Sequence, residues 1–170
     1  IWNTLYFNLV TMIFEFPAPI ILALLINEIG NKTFKKVTQT ISYLPHFLSI
    51  AAVTGIVNSL LSEYGLVNSI LSKMGIESQK WLEESAAFLP TYVLTSVWKS
   101  VGWGTIIFLA TMCGLSQESY EAAEIDGAGK WKQAIYITLP GILPTVGMLL
   151  ILKMGSLFGS SFELVYGLQN

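Results

Sequence analysis

An all-α membrane protein with four transmembrane helices is the fold class this sequence predicts, and three observations carry it. The 170 residues are 53% hydrophobic and only 12% charged, with a mean hydropathy of +0.61, far more apolar than a water-exposed domain of this size. Four stretches, Leu5 to Ile26, Tyr43 to Leu61, Phe88 to Leu115 and Leu139 to Val165, are long and apolar enough to cross a hydrocarbon core, which takes roughly 20 residues of helix. Prolines stand inside the first and the fourth. Soluble helices resist that, whereas membrane helices accept it because neighbouring helices and water satisfy the freed carbonyls.

The same composition excludes several function classes. Net charge is −2, with nine basic residues that are all lysine, so there is no positive field to grip phosphates and nucleic acid is not expected as a partner. The single Cys113 and the single His46 rule out an internal disulfide framework and a His/Cys zinc cluster. No cofactor is expected, and no Gly-rich phosphate loop ending in Lys-Ser or Lys-Thr is present. The chain starts at Ile1 without a methionine, so it reads as an internal piece of a longer protein.

Along the chain, the first stretch is interrupted by Glu15, Pro17 and Pro19. The connection after it, "NEIGNKTFKKVTQTIS", holds Lys32, Lys35 and Lys36, and the positive-inside tendency places it in the cytoplasm. The next connection, Ser62 to Ala87, sets Lys73 and Lys80 against Glu63, Glu77, Glu83 and Glu84 and is expected outside. Within it, Leu66, Ile70, Leu71 and Met74 recur at helical spacing between Gly65 and Gly75, which predicts a short amphipathic helix at the outer surface. The third stretch carries Lys99, and the fourth Pro144 and Lys153. With no repeat, low-complexity run or linker apparent, residues 1–170 read as a single transmembrane domain.

Between the third and fourth stretches, residues 116–138 form a loop with chemistry of its own, which this topology returns to the cytoplasm. Ser116 is a good N-cap, and Glu118 falls in a first turn where negative charge suits the helix dipole. Ser119, Ala122 and Ala123 share a narrow face of small side chains, while Glu118, Glu121 and Glu124 spread along the other side. Asp126, Gly127 and Gly129 supply turn chemistry that ends the helix. A second short helix is expected from Lys130 to Thr138, with Trp131, Ala134, Ile135 and Thr138 along one side. Leu139 and Pro140 then open the next membrane helix, since proline suits a first turn. A helix, a glycine elbow and a second helix on the membrane surface are suited to docking a soluble partner.

"EAAEIDGAGKWKQAIYITLPGILP" resembles the Glu-Ala-Ala loop of binding-protein-dependent ABC importer permeases, matching at Glu121, Ala122, Ala123, Asp126, Gly127, Ala128, Ile137, Leu139, Pro140 and Pro144. "NEIGNKTFKKVTQTISYLPHFLS", "GLVNSILSKMG" and "VWKSVGWGTIIFLATMCGLSQESYEAAEIDGA" are similar to segments of the oligosaccharide and polysaccharide branch, so the resemblance covers nearly the whole chain. It implies a multi-pass protein of the bacterial inner membrane, here represented by helices two to five of a six-helix permease. It also implies that the helix from about Gln117 to Ile125 is a coupling helix docking on an ATP-hydrolysing subunit. The implied partners are a pair of those ATPases, a second permease completing the pore and an external solute-binding protein. ATP hydrolysis would belong to the partner, and the solute would be a sugar.

Glu15, Lys99 and Lys153 lie inside apolar spans, about 15 to 20 Å along their helices and so near the midplane. Charge there is costly unless it faces a cavity, the bundle interior or a partner. These three residues are therefore read either as contacts of the translocation path or as an ion pair between Glu15 and one lysine. Trp98 and Trp103 are five positions apart, about 140° around a helix, and so cannot line one face together; anchoring or bundle packing is expected of them. Gly102 and Gly104 suggest close helix packing, and His46 a structural hydrogen-bonding role. Phe162 and Glu163 are expected near the outer end of the fourth span. Two other classes stay open: an intramembrane enzyme, which would need a histidine with a carboxylate or nucleophile at midplane, and a structural or receptor subunit.

Overall fold

The computed structural model describes residues 2–155 and 162–169, and no strand occurs among them. The first span is two helices in near continuity, α1 (Trp2–Glu15) and α2 (Pro17–Asn27), broken at Phe16. Pro17 and Pro19 cannot donate to carbonyls one turn back, so the backbone ladder fails there. The Phe16 N–H still reaches Met12 O at 3.0 Å. Helix α3 (Lys32–Tyr43) follows, capped by the Asn31 side chain, which accepts from the Phe34 N–H at 3.0 Å.

The second span differs from the expectation of Tyr43 to Leu61. Tyr43 ends α3, a tight 3-10 turn runs over Leu44–Phe47, and α4 begins only at Ile50, ending at Leu61. Pro45 lacks the N–H that a continuous helix would use, and Ser49 caps α4 by accepting from the Ala52 N–H at 3.2 Å. At 12 residues, α4 is about 18 Å long, too short to cross alone. Helix α5 (Leu66–Lys73) continues it after a turn, and the two are long and apolar enough together for a membrane span over Ile50–Lys73. The short amphipathic helix predicted around Leu66 to Met74 is α5.

The third span is α6 (Ser85–Cys113), 29 residues long and so about 44 Å from end to end. It is the mast of the bundle. Helices α1 and α2 pack along it, α3 crosses it, and α9 (Leu139–Gly155) meets its second half. The crossing with α3 is backbone on backbone, because a Cβ at Gly102 would overlap the Ser42 carbonyl. One at Gly104 would sit 2.8 Å from Pro19 Cγ. Both glycines are thus close-packing sites, as small residues between membrane helices tend to be.

Beyond α6 come α7 (Gln117–Ile125), α8 (Lys130–Gln133), a π-helical segment Ala134–Thr138, α9, and α10 (Phe162–Gln169). The fourth apolar stretch therefore forms helix to Gly155; its continuation over 156–161 lies outside the described residues, as does the Phe162 side chain. Glu163 is exposed in the first turn of α10. Two apolar cores fill the bundle. Ala23, Ile26, Phe108, Leu109, Met112 and Ile142 pack at the end carrying α7, and Phe88, Tyr92, Val93, Leu164 and Leu168 pack at the opposite end.

That opposite end is organised by Asn68, 2% exposed. Its amide donates to Ser62 O at 3.1 Å and Gln79 O at 2.9 Å, and its oxygen accepts from the Gln79 N–H at 3.0 Å and Trp81 Nε1 at 3.1 Å. One side chain of α5 thereby ties the residues on both sides of that helix, Ser62 before it and Gln79 and Trp81 after it. Removing it breaks four hydrogen bonds to exposed or half-buried partners, each worth about 0.5–1.5 kcal/mol. Asn68→Ala is expected to lower the melting temperature of the full-length permease in detergent by several degrees; an unchanged transition would show the network to be dispensable.

Candidate functional site

Helix α7 and its turn are built by rules visible at each residue. Gly114 and Leu115 end α6, and Ser116 takes the extended N-cap conformation without a side-chain bond to the helix. At the other end Gly127 sits at φ +75°, the Gly127 N–H donates to Glu124 O at 3.1 Å, and the Ala128 N–H donates to Ala123 O at 2.8 Å. That pair of bonds is a Schellman stop, which needs a left-handed residue where only glycine is free of strain. Gly129 plays the other part: it is extended and N-caps α8. The two glycines therefore have different tasks.

The turn is tied to the helical segment that follows by side chains a few turns away in sequence. Tyr120 and Thr138 share a hydroxyl–hydroxyl bond of 2.8 Å, with Thr138 fully buried. Gln133, 2% exposed, donates Nε2 to Ala128 O at 3.1 Å. Lys130 Nζ donates to Glu124 Oε1 at 3.0 Å; this hydrogen bond, with the charge of the ammonium, holds the Glu124 carboxyl below its ordinary value. Leu115 fills the space where Gly141 lacks a side chain. Helix α7 is thus tied to α8 and to the π segment, while the residue just before it packs against α9.

The connection into α9 differs from the expected pair of helices. Helical structure runs from Lys130 to Gly155 without a break, through the π segment. There the Leu139 N–H reaches back to Ala134 O, and the widened turn lies directly before Pro140, whose ring crowds a normal α turn. The wider turn also shifts the helical phase. Ala134 and Thr138 are buried with Gln133, while Trp131 and Ile135, expected on the same side, are exposed. Leu139 packs against the core at this end, and Pro140 and Pro144 are exposed on α9.

What the loop leaves open is a small, acidic surface. Glu121, Ala122, Asp126 and Gly127 are exposed, Ala123 and Ala128 half-buried, and Ile125 is 87% exposed at the helix end. A polar cavity of about 400 Å³ separates α7 from the end of α2, lined by Asn27, Glu28, Gln117, Tyr120, Glu124 and Lys130 among others. The face is free to receive another surface.

A second locus lies mid-bundle. Lys153 Nζ donates to Glu15 Oε2 at 3.0 Å, closing the ion pair that was one of the two readings of these charges. The pair borders a cavity of about 390 Å³ that Pro19, His46, Ser100 and Trp103 also line. His46 stacks flat on Trp103, centroids 4.5 Å apart and 5° between planes, with Phe47 edge-on to Trp103 at 5.8 Å. His46 thus acts through its ring as well as its carbonyl. Lys99 is elsewhere: its Nζ donates to His46 O at 3.1 Å and Leu48 O at 2.8 Å, across the break between α3 and α4. Trp98 lines a separate apolar groove between α4 and α6, in keeping with the angular separation expected of the two tryptophans.

A multi-spanning helical bundle that carries a surface helix at one end and runs from it into the next span defines an integral membrane protein with a candidate docking element. The chain belongs to the family described as binding-protein-dependent transport system inner membrane component, whose model matches residues 15–166. It is accordingly a multi-pass inner-membrane chain and a transport component rather than an enzyme. It is 41% identical to protein LplB of Bacillus subtilis over 99% of its length, and likewise 41% identical over 99% to that organism's polygalacturonan/rhamnogalacturonan transport system permease protein YteP. With the arabinooligosaccharides transport system permease protein AraP of Bacillus subtilis it shares 35% identity over 96% of its length. The chain spans about half the length of these relatives, 53% of the first two and 54% of the third. A crystal structure of a bacterial ABC transporter involved in import of the acidic polysaccharide alginate superposes with a TM-score of 0.93 at 38% identity, covering 99% of this chain and 62% of that one.

Sequence reasoning missed Tyr120, Gln133 and Thr138 as braces of the loop, and Asn68 as a hub. A polar residue at helical spacing does not say which neighbouring turn its side chain folds back to meet. Gln133 and Thr138, polar in a helix otherwise turning apolar, were the available signal.

Proposed function

We propose that this chain is the central part of a permease that imports an oligosaccharide, driven by a separate ATPase that grips α7 from the cytoplasm. The observation that supports it most is mechanical. A nine-residue helix with a small-residue face is tied through Tyr120–Thr138 to the π segment that runs into α9 and through Glu124–Lys130 to α8, and Leu115 just before it packs at Gly141 of α9, so a push on α7 is passed toward a membrane span. Glu121, Ala122, Ala123, Asp126, Gly127 and Ala128 form the docking element, and Leu139, Pro140 and Pro144 carry the connection into the span. The lysine-rich first loop supports a cytoplasmic side for this end, and the segment corresponds to helices two to five of a six-helix permease.

The solute class rests on relatives described for polygalacturonan/rhamnogalacturonan, arabinooligosaccharides and alginate. The Glu15–Lys153 pair and the Trp103 face place polar and aromatic groups at one cavity, suited to the hydroxyls and the C–H faces of sugar rings. Partners are two ATP-binding subunits, a second permease and an external solute-binding protein; a related structure contains an alginate pentasaccharide-bound periplasmic protein. The test is co-purification of the full-length permease with its ATPase, followed by reconstitution. Oligosaccharide-loaded binding protein is expected to stimulate ATP hydrolysis and sugar entry into vesicles. A permease that brings no ATPase would be a structural or receptor subunit, and import of a non-sugar solute alone would refute the sugar assignment.

A further inference from the structure

The geometry points to Lys99 as a positioning residue of the translocation path: it holds the His46–Trp103 stack in the cavity wall without itself touching the solute. The break between α3 and α4 packs against α6, and carbonyls freed there from helical bonding need a donor. Lys99 supplies it, its one ammonium bridging His46 O at 3.1 Å and Leu48 O at 2.8 Å. Those carbonyls flank Phe47, so the tie fixes the backbone on both sides of the residue packed edge-on against Trp103. The first tied carbonyl belongs to His46, whose ring lies flat on Trp103.

Lys99 stands four positions before Trp103 on α6, one helical turn away, so the tie and the stack sit on one side of the helix. Trp103 keeps 48% of its surface exposed despite the stack, and it lines the cavity together with Glu15, Ser100 and Lys153. The inference rests on that cavity being the sugar's route. It adds that the wall's shape depends on a charge outside the cavity. Methionine keeps the length of the stem but has no donor. Arginine keeps both donor and charge.

The test uses the full transporter with Cys113→Ser and Ser100→Cys, reading how fast a charged thiol reagent labels position 100. The probes are an arabino-oligosaccharide, an oligogalacturonate and an alginate oligosaccharide. The sugar that slows labelling in the parent is then measured against Lys99→Met, Lys99→Arg and His46→Ala. Lys99→Met is expected to lose the protection and to lower sugar uptake on the order of tenfold, the effect of leaving one such polar contact unmade, and His46→Ala to lose both through the missing ring, while Lys99→Arg restores both. His46→Ala removes the ring but keeps the carbonyl that Lys99 binds, so it tests the stack on which the positioning role depends if Lys99→Met does not assemble. Protection and uptake that persist in His46→Ala overturn the inference and leave the transport reading intact. A parent that none of the three sugars protects overturns the sugar route, and this inference with it.

Discussion

Gly102→Ala is expected to destabilise the full-length permease by roughly 3 kcal/mol or more, at the upper end of what an overpacked methyl costs. The added Cβ overlaps the Ser42 carbonyl of α3, and main chain cannot swing aside as a side-chain tip can. The α3–α6 crossing must open, and with it the packing that lets membrane helices associate where no hydrophobic force draws them together. The contrast lies within the same chain. Gly55 and Gly147 also sit inside helices, yet a Cβ at either meets nothing within 4 Å. Their alanine variants are expected to be neutral or to gain up to about 1 kcal/mol of helix propensity. Thermal unfolding followed by size-exclusion in detergent reads all three, and equal transitions for Gly102→Ala and Gly55→Ala would contradict the close crossing.

Ala122→Trp is expected to abolish ATP-driven uptake while leaving the permease folded in the membrane. Ala122 is exposed on α7, and substitutions at such positions usually change stability by no more than about 0.5 kcal/mol. The loss therefore has to come from the partner's side, where an indole would hold the docking surfaces apart. Lys132→Ala, exposed on α8 rather than on α7, is expected to keep uptake within about twofold. Uptake measured in cells with matched permease levels checks both. Normal import by Ala122→Trp would remove the small face from the mechanism.

Local rules were enough for much of this structure, and the limits follow from what such rules can register. The bounds of α7 agree with the start after Ser116 and the stop at Asp126 and Gly127 that the residues predict, because an N-cap position, a helical run and a glycine stop are all written within a dozen residues of sequence. The left-handed Gly127 follows from the same logic. The break at 44–49 was readable only in part: Pro45 and Ser49 are present, but the apolar run across them hid the discontinuity. The π segment was not readable at all, since a widened turn arises from Pro140 downstream and from burial of Thr138 against Tyr120. Glu15, Lys99 and Lys153 show the same division. Their cost in an apolar span was evident, but which carboxylate or carbonyl met each ammonium depended on how distant helices pack. Lys153 found the carboxylate of Glu15, and Lys99 found two carbonyls on either side of Phe47.

Mechanical coupling through α7 is tested most directly by placing a photo-crosslinking amino acid at Ala122 of the assembled, full-length transporter and irradiating it with and without ATP. The expected result is a covalent product between permease and ATPase whose yield changes with nucleotide. The same residue reacting only with an external reagent, or capturing no ATPase in either state, would contradict the role assigned to this helix.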